Sequence, residues 1–67
     1  MIFLQSSFLI SADYNETSKA LILTMKTGRR YRYNGVPKHI YDGLVRAASK
    51  GRFYDDFIKG KFPATRY

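Results

Sequence analysis

In the segment of residues 29–34, arginine and tyrosine alternate strictly over residues 30–33, and this pattern constrains the fold more than any other feature of the sequence. A period of two residues predicts a β-strand, because successive side chains of a strand point to opposite faces of the sheet. The preceding segment, residues 19–26, combines β-forming and apolar residues and predicts a second strand. The chain therefore requires a sheet with one tyrosine-bearing face and one arginine-bearing face.

The turn between these two strands decides which residues face each other. A two-residue turn would place Leu23 opposite Arg32 and would mix a core residue with a charge on one face. A three-residue loop, residues 26–28, pairs Leu23 with Tyr31 instead and puts Gly28 at the left-handed position that this loop type needs. The second register predicts a buried sheet face that carries Leu21, Leu23, Tyr31 and Tyr33.

The remaining segments complete a prediction of strands first and helices second. Residues 8–14 are apolar-rich and predict a strand that a polar turn cluster follows. Pro37 suits the first turn of a helix that runs to about Ala48, and Ser49 can cap a second short helix that Gly60 ends. Apolar spacing predicts that the helices contribute Ile40, Leu44, Phe53, Phe57 and Ile58 to the core.

We therefore predict a single α+β domain over residues 1–67. Its architecture is a three-stranded antiparallel β-meander followed by two short C-terminal helices packed on one face. Residues 61–67 are predicted to form an extended, basic tail. The apolar start of the chain is too short for a signal peptide or a membrane span, so we expect no membrane association and a cytoplasmic location.

The size and composition of the chain limit how it can be stabilised. A chain of 67 residues buries only about 60% of its unfolded surface, so its core is marginal. It has no cysteine and one histidine, which argues against disulfides, thiolate metal sites and His-rich zinc sites. We expect neither metal nor cofactor. The unpaired sheet edges, and Ile22 on the arginine-bearing face, favour a homo-oligomer.

The net charge of +7 predicts a polyanionic partner, because cations that contact phosphates release condensed counterions. Arginines on one strand face are spaced about 7 Å apart, which suits neighbouring phosphates. A helix start near Ser49 offers free N–H groups to an anion. The predicted anion-binding residues are Arg29, Arg30, Arg32, Lys50, Gly51, Arg52 and Lys61.

Each of these groups has a simpler interpretation that the sequence leaves open. The arginines fit an open, solvated sheet face, and residues 49–52 fit a plain helix cap. Conversely, Tyr31 and Tyr33, which the register places in the core, could serve as stacking platforms for bases. Asp55 and Asp56 are adjacent, so on a helix they diverge by about 100° and cannot act as a catalytic pair. No catalytic constellation can be assembled, and we predict that the chain is not an enzyme.

An ordered set of residues spanning positions 5–64 resembles the KTSC domain, named for its occurrence at the C-terminus of some lysyl-tRNA synthetases. The set consists of Ser6-Ser7, Tyr14, Leu21-x-Leu23-x-Met25, Gly28, Tyr31-Arg32-Tyr33, Val36-Pro37, Tyr41, Leu44, Ser49-Lys50-Gly51-x-Phe53, Ile58 and Phe62. The resemblance implies a stand-alone bacterial or phage member, suggests RNA binding and brings no catalytic residues.

Two functions follow as expectations. The first is a small non-enzymatic module that binds RNA, a nucleotide or another phosphate-rich ligand. The alternative is a phage-type interaction or inhibitor protein that binds a host protein or captures a nucleotide signal as an oligomer.

Overall fold

The computed structural model describes residues 2–67, which form one five-stranded antiparallel sheet and two helices. The strands lie in the sheet in chain order, β1 to β5. The elements are β1 (Ile2–Phe3), β2 (Leu9–Asn15), β3 (Ala20–Met25), β4 (Arg30–Tyr33), α1 (Lys38–Arg46), α2 (Lys50–Phe57) and β5 (Ala64–Arg66). The predicted combination of an antiparallel sheet and two helices is thus confirmed, although the number of strands is not.

The predicted register between β3 and β4 is confirmed. Leu23 pairs with Tyr31 and Leu21 pairs with Tyr33. The connecting loop is the predicted three-residue loop: the amide of Met25 donates to the carbonyl of Arg29 at 2.8 Å, which closes the hairpin. Gly28 has a φ of 91°, which lies in the left-handed region that the register argument required. The tyrosines therefore share the core face of the sheet with the leucines.

Replacing Gly28 with valine tests this loop. No atom lies within 4 Å of the position that a Cβ would take, so the expected cost comes from the backbone alone. A left-handed conformation costs an L-residue about 1–2 kcal/mol, and more for a β-branched side chain. We expect Gly28→Val to lower the free energy of unfolding in urea by at least this amount. Gly28→Asn is the matched control, because asparagine tolerates this region; equal stability of both variants would contradict the argument.

The prediction of three strands was wrong because the sheet carries an additional strand at each edge. At one edge β1 pairs with β2, with Ile2 opposite Ala12. At the other edge β5 pairs with β4, with Ala64 opposite Tyr33, so the basic tail is partly a strand. These strands have two and three residues, and all of their side chains are exposed. Segments this short and exposed show no alternation of apolar and polar residues.

Aromatic contacts attach α1 to the core face of the sheet. The ring of Tyr14 on β2 stacks on Tyr41 of α1 with centroids 4.8 Å apart. The hydroxyl of Tyr14 also donates to the carbonyl of Val36 at 2.6 Å, just before the helix. The buried hydrophobic core consists of Leu4, Leu9, Ala12, Leu21, Leu23, Met25, Tyr33, Val36, Leu44, Tyr54 and Ile58. Tyr31, Ile40 and Phe53, which were also predicted for the core, are half-buried against it.

The predicted buried side of α2 needs one correction. Phe57 is 50% exposed and packs on Phe53 at the surface, with ring centroids 4.6 Å apart. Ile58 is buried, as predicted, and Tyr54 is buried in place of Phe57. Residues four positions apart share a helix face, whereas neighbours diverge by about 100°, so burial of Tyr54 and Ile58 turns Phe57 outward. The first helix also ends earlier than predicted, at Arg46 rather than near Ala48.

Candidate functional site

An aromatic cavity of about 750 Å³ lies between the core face of the sheet and the C-terminal end of α2. Strands β3 to β5, the loop that contains Gly28 and the turn after α2 all contribute to its wall. The residues that line this aromatic cavity are Phe8, Met25, Thr27, Arg29, Tyr31, Tyr33, Tyr54, Lys59, Gly60 and Ala64. The cavity exists because the two short helices leave this part of the core face uncovered.

Four aromatic rings form a continuous row along the cavity wall. The centroid of Phe8 lies 5.5 Å from that of Tyr54, and Tyr54 meets Tyr33 edge to face at 5.9 Å. Tyr33 is in turn 6.5 Å from Tyr31. Tyr33 and Tyr54 are buried, whereas Tyr31 is half-buried and Phe8 is 40% exposed. The two buried rings thus form the inner wall, and the two outer rings lie on its solvent-exposed side.

The hydroxyl groups of Tyr33 and Tyr54 share a hydrogen bond inside this wall. Burial, followed by this hydrogen bond, raises the pKa of the Tyr33 phenol well above its ordinary value of 10.0. The Tyr33 phenol therefore stays protonated well into alkaline solution and places no negative charge on the inner wall.

The accessible charges at the aromatic cavity are positive. Its ten described lining residues include two cations, Arg29 and Lys59, and no carboxylate. Both side chains belong to exposed residues. Arg66 on β5 pairs with Tyr31 and thus emerges on the same face of the sheet. Aromatic walls with cations at the rim suit a ligand that combines a flat ring with negative charge.

Of the seven predicted anion-binding residues, Arg29 lines this cavity, whereas the two arginines of β4 lie elsewhere. Arg30 and Arg32 pair with Thr24 and Ile22, so they point away from the helices. We call this surface, carrying Ile22, Thr24, Arg30 and Arg32, the helix-free face. Arg30 is exposed, whereas Arg32 is half-buried and its Nε is buried without a hydrogen-bond partner among residues 2–67.

The predicted residues at the start of α2 already have contacts within the protein. The ammonium of Lys50 donates to the carbonyl of Ala47 at 2.8 Å. The Nε atom of Arg52 is 3.9 Å from the Asp56 carboxylate on the next turn. Gly51 lines a separate, smaller cavity with Lys50, and the hydroxyl of Ser49 makes no capping hydrogen bond in the described chain. None of these residues lines the aromatic cavity, although Gly51 lies against the cavity residue Phe8.

Lys61 is exposed in the turn after α2, directly beyond the cavity residue Gly60. Across residues 2–67, no three His, Asp or Glu side chains are grouped so that they could hold a metal ion. Neither helix in this described range is long and apolar enough to cross a membrane.

The sequence prediction did not include Phe8 or Tyr54 among the site residues. A signal for Tyr54 was present, because it stands four residues before Ile58 and therefore shares its helix face. Phe8 directly precedes β2 and resembles an ordinary core residue in sequence. Lys59 joins the site through the turn that follows α2, and nothing in its local sequence reveals this placement.

Comparison with known proteins gives consistent matches. The family model of the KTSC domain matches residues 5–62. The crystal structure of a KTSC domain protein from Yersinia pestis has a TM-score of 0.95 and 33% identity, covering 98% of this chain and 93% of that chain. A protein from Tsukamurella paurometabola is 35% identical over 60 residues, which is 90% of each chain.

The same comparison finds a much longer relative. A lysine–tRNA ligase from Trichormus variabilis is 36% identical over 58 residues, which is 87% of this chain. This chain spans only 10% of the length of that ligase.

Proposed function

The chain belongs to the KTSC domain family, and from this premise we propose that it is a small non-enzymatic module that binds RNA or another phosphate-rich ligand. The observation that carries the proposal is the aromatic cavity with Arg29 and Lys59 at its rim. Ligand sites are typically concave and apolar, with a few polar groups that orient the ligand. Here the accessible charged groups at the cavity are cations, so an anion is the matching ligand.

Two further observations support this proposal. The net charge of +7 attracts polyanions over a range set by the salt concentration. One relative of this domain lies within a protein named lysine–tRNA ligase, and tRNA is itself a phosphate polymer. Arg30 and Arg32 on the helix-free face provide a second candidate contact region, which the experiment below separates from the first.

Removing both rim cations should weaken anion binding. We expect Arg29→Ala/Lys59→Ala to bind a labelled single-stranded RNA at least about 10-fold more weakly, because charged hydrogen bonds contribute about 1.5–3 kcal/mol each. The slope of log affinity against log salt should become shallower by about 0.7 for each phosphate that the variant no longer neutralises. Fluorescence polarisation at several salt concentrations measures both quantities.

The matched control is Lys38→Ala/Arg46→Ala, which removes the same charge from exposed positions on α1. The affinity of this control for the RNA should fall only slightly, because it loses only the nonspecific attraction due to net charge. A parallel variant, Arg30→Ala/Arg32→Ala, reports on the helix-free face. If the cavity variant and the α1 control bind equally, the aromatic cavity is not the anion site. If the unmodified protein binds no anion, the proposed function is wrong.

The alternative function is a small interaction protein that docks on a host protein or captures a nucleotide signal as an oligomer. The helix-free face favours it, because Ile22 lies beside Arg32 there and β1 at the sheet edge leaves Phe3 74% exposed. Apolar side chains on an uncovered sheet face are typical of protein interfaces. A hydrophobic interface would keep its affinity as salt rises, so the salt titration that tests anion binding also separates it from docking on a host protein.

A further inference from the structure

We propose that the aromatic cavity takes an unpaired nucleobase that carries phosphate, with the base against the aromatic row and the phosphate at Arg29 and Lys59. This inference rests on the proposed function and specifies its ligand. Such a ligand needs two kinds of contact at one place: the face of an aromatic ring for the base, and a cation for the phosphate. The aromatic cavity supplies both, with the cations Arg29 and Lys59.

The ring row supplies the first contact. Tyr31 is half-buried and Phe8 is 40% exposed, so both retain surface that a flat ligand can cover. Tyr33 and Tyr54 are held behind them by their mutual hydrogen bond and edge-to-face packing. Stacking on rings that are already fixed in place requires little ordering of side chains on binding. Every nucleobase has a π-face, so this wall suits bases regardless of sequence.

The size of the cavity is that of a small-molecule site, and it leaves room for a base with its sugar. Its volume of about 750 Å³ lies within the range of about 300–1,000 Å³ that small-molecule sites occupy. Bases in a duplex have their faces covered by neighbouring base pairs, so a base must be unpaired before it can stack on a protein ring. The cavity therefore favours a single strand or a free nucleotide over a duplex.

The rim supplies the second contact and argues against other flat ligands. A neutral apolar ligand would leave Arg29 and Lys59 without a charged partner, whereas a phosphate attached to the base through its sugar satisfies them. Lys61 is adjacent to Gly60 at the cavity wall, and Arg66 lies opposite Tyr31, so a second phosphate of a strand would also meet positive charge. This charge pattern selects a phosphorylated base.

The test compares ligands that share phosphates but differ in bases. The probes are a short single-stranded RNA, the abasic strand of the same length, the matching duplex and inorganic polyphosphate. We expect the single strand to bind about 5- to 150-fold more tightly than the abasic strand, since stacking contributes about 1–3 kcal/mol per base. A nucleoside monophosphate, used as a competitor, shows whether the natural ligand is a strand or a free nucleotide. If it is a free nucleotide, the monophosphate should displace the labelled strand at a concentration similar to that of the unlabelled strand.

A variant locates the stacking. Tyr31→Leu removes the half-exposed ring and keeps an apolar side chain, so it should lower affinity for the single strand and leave affinity for polyphosphate unchanged. Tyr67→Leu is the matched control, because Tyr67 is 63% exposed and lies outside the cavity lining. Quenching of tyrosine fluorescence reports stacking directly, since the chain has six tyrosines and no tryptophan.

The outcomes separate this inference from the function on which it rests. Equal binding of the single strand, the abasic strand and polyphosphate would overturn the nucleobase inference and leave anion binding intact. Equal affinities of folded Tyr31→Leu and Tyr67→Leu for the single strand would overturn it as well. If none of the probes binds, both proposals are wrong. The comparison of ligands uses the unmodified protein, so it decides the question even if Tyr31→Leu does not fold.

Discussion

Replacing Leu44 with alanine should lower the free energy of unfolding by about 2–5 kcal/mol. Leu44 is fully buried in the core, and among the described residues of α1 it is the only buried one. Removing its side chain leaves a cavity that the surrounding structure can fill only in part. The loss of stability therefore has two parts: the transfer free energy of the removed apolar groups and the cost of the cavity. Urea denaturation followed by circular dichroism measures the change.

This effect is large relative to the stability of the whole domain. Proteins are stabilised by roughly 0.05–0.15 kcal/mol per residue, which for this chain is about 3–10 kcal/mol. The Leu44→Ala change could therefore unfold much of the population at 37 °C. Val45→Ala is the matched control, because Val45 is the next residue and is only half-buried. If Leu44→Ala is as stable as Val45→Ala or more stable, the Leu44 side chain does not hold α1 in place.

The parts of the fold that could be predicted from sequence are those in which two local signals agree. In the β3–β4 hairpin, the alternation of arginine and tyrosine indicated the two faces, and Gly28 selected the loop length that keeps the charges on one face. Both are confirmed by the pairing of Leu23 with Tyr31 and by the positive φ of Gly28. A shift of one residue would have reversed every side chain, so the hydrophobic pattern specifies this register strongly.

The errors in the predicted fold arise in segments where the sequence offers only one weak signal. β1 and β5 are short, exposed edge strands whose pairing depends on neighbours distant in sequence. In α2, spacing alone makes Phe57 and Tyr54 equally plausible as the residue that is buried beside Ile58. The choice between them depends on Tyr33, whose hydroxyl Tyr54 meets across the core. Sequence periodicity contains no information about such a tertiary contact.

The candidate site could be predicted only in part for a related reason. Arg29 was identified from charge, and the possible stacking role of Tyr31 was weighed against burial. The structure shows that the two interpretations of Tyr31 are compatible, because its ring packs on the core and also lines the aromatic cavity. Phe8 and Lys59 come from opposite parts of the chain and meet at this cavity only after folding.

Replacing Tyr54 with alanine should be the most destabilising change at the aromatic cavity, lowering the free energy of unfolding by about 3–5 kcal/mol. Tyr54 is only 6% exposed, and its ring contacts both Phe8 and Tyr33. Its hydroxyl contribution can be measured separately with Tyr54→Phe, which leaves the Tyr33 hydroxyl without its partner and should cost about 1–3 kcal/mol. The double variant Tyr33→Phe/Tyr54→Phe should cost less than the sum of the two single changes, because no orphaned hydroxyl remains.

The same hydrogen bond predicts how stability changes in alkaline solution. Burial and the contact with Tyr54 raise the pKa of Tyr33 in the folded state above its ordinary value of 10.0, so the unfolded chain loses this proton first. The stabilisation is complete below pH 10 and disappears as the pH rises from 10 towards the folded pKa, at a limiting slope of about 1.4 kcal/mol per pH unit. Tyr33→Phe should remove this component, whereas Tyr67→Phe, at an exposed position, should retain it. Identical alkaline slopes for these two variants, measured by urea denaturation at several pH values, would show that the Tyr33 hydroxyl is not protected in the folded state.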